Sequence, residues 1–174
     1  DRLSAARYCA ERGYWLAFHF DPMIHHENWR QGYGETLDRL FDVVDPGRVV
    51  YLSLGAFRFM PELKAVIQAR HPQSRIPYGE FIRGLDDKMR YFRDIRVELY
   101  SFMVERLRRV DRDLCVYLCM EGEDIWRESF GFSPEEKGGL PAMLDRAVKE
   151  RMKVGLHCDE WPLPSVWTPE SRQC

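Results

Sequence analysis

Several things are scarce in this chain, and each scarcity removes a class of protein. No apolar run approaches the roughly 20 residues of a membrane-spanning helix, and no apolar leader segment opens the sequence. Charge of one sign is lacking too. With 26 basic and 28 acidic side chains the net charge is -2 and the pI is near 6.3, so any contact with nucleic acid or anionic lipid must come from a local patch. The cysteines are five, an odd number at irregular spacing, which does not read as a secreted disulfide framework. A cytoplasmic protein is the expectation. What is present is a 174-residue chain with 45% hydrophobic residues, enough to bury a core for one domain or a large part of one. It opens at Asp1 directly into a helical pattern, from which a piece of something longer is expected.

The organising stretch is Tyr14 to Trp29, where a half-apolar strand runs into a loop holding His19, Asp21, His25, His26, Glu27 and Asn28. Successive strand side chains leave on opposite faces. Leu16, Phe18 and Phe20 therefore form one row, and Ala17, His19 and Asp21 the other. Pro22, with no amide to donate, is expected to end the ladder. The same two-row pattern recurs at 48–54 and 114–120, so strands are predicted near 14–20, 48–54 and 114–120. Helical spacing predicts helices over 2–12, 29–44, 61–71, 90–110, 124–130 and 140–152. Between them, 71–89 is long for a plain connection, with Ile76, Tyr78 and Glu80 as a short edge strand.

Alternation of strands and helices implies right-handed βαβ units and a parallel sheet. Strands covered on both faces read as apolar throughout, whereas each strand here keeps one apolar and one mixed polar row. That favours an α/β barrel or partial barrel. The apolar rows then meet outer helices, while Ala17/His19/Asp21, Val49/Tyr51/Ser53 and Tyr117/Cys119/Glu121 face a lumen. Reacting groups in barrels sit at the carboxyl ends of strands, here His19 to Asp21, Ser53 to Gly55 and Cys119 to Glu121. Gly55 lets a ligand approach the backbone, and Arg58 is placed to hold an anion. Three strands cannot close a barrel, so the rest must come from elsewhere in a longer protein or from another chain.

His19, Asp21, His25, His26 and Glu121 are a candidate divalent-metal set, but their spacing matches no standard pattern. Exposed loop histidines and a hydrogen-bonded His19 are the favoured reading. Cys115 and Cys119 have C-x-x-x-C spacing. On a strand they stand about 13 Å apart at ~3.3 Å per residue, too far to share one ion, and Gly122 occupies the place of a third cysteine. Cys158 and Cys174 read as plain thiols. The cluster of Arg106, Arg108, Arg109 and Arg112 reads as a solvated helical face among Glu105, Asp111 and Asp113.

The run Ala5-Ala6-Arg7 through Gly13-Tyr14, then Phe18-His19-Phe20-Asp21-Pro22-Met23-Ile24, Trp29 and Gly32-Tyr33, resembles the spore photoproduct lyase family of radical S-adenosylmethionine proteins. Ser53-Leu54-Gly55 with Arg58-Phe59, Leu63-Lys64, His71-Pro72, Tyr78-Gly79-Glu80-Phe81 and Lys88-Met89-Arg90-Tyr91-Phe92 continue the resemblance in collinear order. It implies the carboxyl-terminal half of a (β/α)6 partial TIM barrel over 1–132; beyond it, helical spacing and then Pro162, Pro164 and Pro169 read as a terminal helix over 133–154 and an irregular tail over 155–174. It also implies two cofactors, S-adenosylmethionine and a 4Fe-4S cluster. The cluster's C-x-x-x-C-x-x-C ligands are not in this chain, so the piece alone is expected to be inactive. Phe20, Asp21, Ser53 and Gly55 match where the family holds the cofactor, with Asp21 replacing a small residue. His19, His25, Arg58 and Glu121 fall on the substrate side. DNA is the implied partner, yet the basic hairpin of the family's lyases corresponds here to the mildly charged YGEFIRGLDDKMRYF.

The function expected is radical repair of a DNA lesion, or related chemistry through a 5′-deoxyadenosyl radical. Two alternatives stand beside it. One is a metal-dependent hydrolase using His19, Asp21, His25, His26 and Glu121. The other is a non-catalytic barrel remnant that binds DNA or protein through 72–92.

Overall fold

The computed structural model describes residues 1–153. Helix α1 (Arg2–Glu11) leads into strand β1 (Leu16–Met23), helix α2 (Trp29–Val43), a 3-10 turn at Pro46–Arg48 and strand β2 (Val49–Ala56). Strand β3 (Arg58–Phe59) and helix α3 (Leu63–Arg70) follow. A 3-10 turn at Ile76–Tyr78 comes next, then strands β4 (Phe81–Arg83) and β5 (Met89–Tyr91), and the long helix α4 (Arg93–Val110). Strand β6 (Cys115–Leu118), helix α5 (Glu123–Phe130), a 3-10 turn at Pro134–Lys137 and helix α6 (Gly139–Met152) complete the described chain.

The two-residue alternation decides how the strands assemble. β1, β2 and β6 form a parallel sheet in that order, with Phe18, Leu52 and Val116 in one register and His19, Ser53 and Tyr117 in the next. The apolar row is the core. Leu52, Leu54, Val116 and Leu118 are buried with Leu37 and Leu40 of α2 and Leu99, Met103 and Leu107 of α4, and each such side chain contributes about 1.5–3 kcal/mol by leaving water. The polar row lies on the other face, where the Tyr51 ring centroid is 6.0 Å from His19 and 5.8 Å from Tyr117. His19 and Asp21 at the upper end are exposed.

Three expectations are corrected. Pro22 does not end β1. The strand takes an irregularity between Phe20 and Met23, and Met23 pairs with Ala56 beyond it; an edge strand with a bulge tolerates a missing amide. The segment 71–89 holds a 3-10 turn at Ile76–Tyr78 in place of an edge strand. Its end enters a small antiparallel sheet ordered β3-β5-β4, glued by Phe57, Phe59, Phe81 and Tyr91, with Phe81 stacked on Tyr91 at 4.6 Å. Finally, the polar row expected to face a lumen along its whole length is covered at its foot: α6 lies against β2 and β6, with the Met143 carbonyl 4.0 Å from Cys115 Sγ and Val49 fully buried. Cys115 shares the polar row with Tyr51, so the foot of that row is covered and its top is open. The residues 155–174 read as a tail lie outside the described chain, as do Cys158 and Cys174.

Candidate functional site

At the top of the sheet the strand ends bring four residues together. The irregularity in β1 carries the Asp21 carboxylate over Gly55 of β2, so closely that a Cβ at Gly55 would stand 2.5 Å from Asp21 Cγ. Only glycine leaves that space. Arg58, just beyond the turn that follows β2, returns over the same spot: Nη2 is 3.6 Å from Asp21 Oδ2. The guanidinium also donates to the Cys119 carbonyl and Sγ, both at 3.4 Å. Burial works against the Arg58 charge, but Cys119 and Asp21 outweigh it and hold the guanidinium above its ordinary pKa. The two side chains keep 18% and 28% of their exposure, which makes a sheltered rim reachable from solvent. Ser53 lies beneath it, 1% exposed. Phe20 is in line with Leu54, with its ring turned to the core row beside Tyr33 at 6.5 Å, so only its backbone reaches the rim.

A second layer supports the first. Met120 adopts a left-handed φ of 62°, a conformation that costs a non-glycine residue about 1–2 kcal/mol, and the turn sends Glu121 inward. There the carboxylate pairs with Arg96 of α4 and accepts from Tyr100 OH at 2.8 Å. Tyr100 OH in turn accepts from the amide of Ala56 at 2.7 Å, and Arg96 Nε donates to the Tyr91 carbonyl at 3.0 Å. Burial pushes the pKa of both Glu121 and Tyr100 up; Arg96 and Tyr100 offset part of the rise on Glu121. The Glu121 side chain is only 4% exposed. Placed among the substrate-facing residues by the sequence, Glu121 stands here as a brace between the end of β6, α4 and the end of β2. Arg96 and Tyr100 were missed by sequence reasoning. They are one helical turn apart and share the inward face of α4 with Leu99 and Met103, but spacing alone does not separate Arg96 from the other charges of that helix.

The loop after β1 is stitched by two tyrosine hydroxyls. The amide of Ile24 donates to Tyr33 OH at 2.6 Å and that of His25 to Tyr91 OH at 3.1 Å. The His25 ring lies 5.9 Å from Trp29 and 6.1 Å from Tyr91, at one wall of a groove shared with Arg75, Ile76 and Tyr78. His26 sits by Tyr33 and His19 by Tyr51. The five residues proposed as metal donors are thus dispersed. Among the described residues no three His, Cys, Asp or Glu side chains could hold a metal ion together, which removes the donor set that the hydrolase alternative needs. No helix among the described residues is long and apolar enough to cross a membrane.

A parallel α/β sheet with helices on its apolar face, and an acid and an arginine over a glycine at its strand ends, is the architecture of part of an α/β barrel. Comparison with known proteins then places it. The family model described as spore photoproduct lyase matches residues 1–98, and the chain belongs to that family. A curated spore photoproduct lyase of Geobacillus sp. (strain Y412MC61) is 37% identical over 82 residues, covering 45% of this chain and 24% of the relative. A solved cysteine-variant spore photoproduct lyase with dinucleoside spore photoproduct superposes with a TM-score of 0.59 at 29% identity, over 68% of this chain and 38% of that one. A second variant, with bound AdoMet and dinucleoside spore photoproduct, gives 0.55 at 28% identity, over 68% and 37%. The chain therefore spans about a quarter of the curated relative and well under half of the solved ones.

Proposed function

We propose that this chain is the carboxyl-terminal half of the partial barrel of a radical S-adenosylmethionine enzyme of spore photoproduct lyase type, with residues 1–132 as its barrel part. The observation that carries the reading is the Asp21, Gly55 and Arg58 rim, which lies within the residues matched by the family model. Its donor set suits S-adenosylmethionine: a carboxylate acceptor for hydroxyl or amino groups, a guanidinium for a carboxylate, and a glycine floor that allows close approach. Asp21, Ser53, Gly55 and the Phe20 backbone would hold the cofactor, with His19, His25 and Arg58 toward the substrate. Glu121 acts through Arg96 and Tyr100, fixing the end of β2 beneath the rim. Held there, S-adenosylmethionine would supply hydrogen-atom abstraction through its 5′-deoxyadenosyl group, with methionine as the leaving group and the one electron for its cleavage delivered from outside these residues.

An iron-sulfur cluster does not fit the described residues. Cys9 stands on α1, Cys115 under α6 and Cys119 at the rim. The substrate class carried over from the solved relatives is a DNA lesion of the dinucleoside type. The test is reconstitution, with iron and sulfide, of the full-length protein that contains this chain. Expected are a cluster absorption band, 5′-deoxyadenosine on reduction, and calorimetric binding of S-adenosylmethionine that weakens in Asp21→Ala. Finding neither band nor nucleoside overturns the proposal.

A further inference from the structure

The end of the sheet opposite the rim is flanked by a cleft. It has a volume of about 740 Å³ and opens between the end of α4, the start of β6, the Phe132 to Lys137 turn and α6, within the size range of small-molecule pockets. Cys115, Phe132 and Met143 supply an apolar patch on a mostly polar lining, and five cations line the cleft against three carboxylates. In a chain of net charge -2 that local excess of two is a concentration of positive charge at one place.

The cations are poorly satisfied from within. Arg151 pairs with Asp111, but among the described residues no carboxylate lies within 4.0 Å of Arg108, Arg112, Lys137 or Arg146. Arg108 is half-buried and spends its Nη1 on the carbonyls of Arg112 and Leu114, at 3.0 and 2.5 Å. Burial pulls its pKa below the ordinary value, so it gains from an anion nearby. Among the described residues Arg146 donates to the Lys137 carbonyl alone, at 3.4 Å, and Lys137 Nζ lies 5.2 Å from the Phe132 ring centroid. Docking of α6 does not call on Arg146 or Lys137, since the Arg151 pair and buried Ala147 provide it.

We propose that this cleft binds a small organic phosphate, its anionic group met by Arg146 and Lys137 with Arg108 and Arg112 behind, and its apolar body laid on Phe132, Met143 and Cys115. The site is distinct from the strand-end rim and does not depend on the function proposed for it.

Calorimetry of the full chain with 1-naphthyl phosphate tests this, with 1-naphthol and inorganic phosphate as the two half-ligands. Expected is saturable binding tighter than to either half. In the double variant Lys137→Gln/Arg146→Gln, both exposed positions, Kd rises at least about tenfold, or 1.4 kcal/mol, and the exposed control Arg70→Gln on α3 leaves it unchanged. The second readout is alkylation of Cys115, followed by peptide mapping, which 1-naphthyl phosphate should slow severalfold. No saturable binding, an equal Kd in the double variant, or unprotected Cys115 would each overturn the site.

Discussion

At the residue scale the rim depends on a missing side chain. A methyl group at Gly55 would meet the far end of the Asp21 side chain at 2.5 to 2.7 Å, so Gly55→Ala must swing the carboxylate away from Arg58. Because the obstacle is the far end of a side chain that keeps 28% of its exposure, the swing costs less than the about 1–3 kcal/mol of overpacking a closed core. The expected result in denaturant unfolding is a small loss for Gly55→Ala in the wild-type background and none beside Asp21→Ala, since the obstacle is then gone; equal losses would mean that the two residues do not share that space. A similar logic applies to Glu121. Removing its charge leaves Arg96 buried and uncompensated, and breaking such a pair costs about 3–5 kcal/mol. Glu121→Gln should therefore destabilise by about that much, and Tyr100→Phe, which leaves Glu121 without that donor and the Ala56 amide without its acceptor, by a comparable amount, about 1–3 kcal/mol for each group left unmade. Chemical denaturation measures both; a loss within error of zero for either variant would mean that the brace does not hold.

At the element scale, legibility divides cleanly by length and by partner. The three parallel strands show in the sequence because one face of each meets a helix, and a one-residue slip would expose Leu52 and Leu54. The helices show because Leu99, Met103 and Leu107 repeat on one face. β4 and β5 do not show. Each is three residues long, and their arginines are matched by carboxylates of the turn between them: Arg83 pairs with Asp87, and Arg90 with Asp86. That internal pairing bears on nucleic acid, because only a cation free to replace counterions on phosphate strengthens binding with falling salt. In the full-length protein, Asp86→Asn/Asp87→Asn should release both arginines, tighten DNA binding and steepen the salt dependence by roughly one to two units of slope. Fluorescence anisotropy at several salt concentrations reads it; an unchanged slope would place the hairpin away from DNA. The inward turn of Glu121 was equally hidden, since nothing in Cys119-Met120-Glu121-Gly122 announces a left-handed methionine, and Arg96 reads as one more charge on a charged helix.

At the scale of the whole molecule, the sheet is open at its top and covered by α6 at its foot, and one partly buried ion pair ties the end of that helix to the end of α4. Arg151 near the end of α6 pairs with Asp111 at the end of α4, each side chain keeping under a fifth of its exposure. Burial alone would raise the Asp111 pKa, but Arg151 and the Asp113 amide outweigh it and hold the carboxyl below its ordinary value of 3.8. A depressed carboxylate stabilises the fold above its unfolded pKa, and the contribution is lost as pH falls through the folded one. Arg151→Gln should therefore cost about 1–2 kcal/mol at neutral pH, between the values for exposed and fully buried pairs. The gap to wild type should hold down to about pH 5 and close as the pH is taken below 3.8. Unfolding curves of both proteins across that range measure it. Because the same variant frees α6 from β6, alkylation of Cys115 should quicken in step with the loss at neutral pH. A gap that persisted into acid would mean that Arg151 acts through the packing of its stem and not through Asp111.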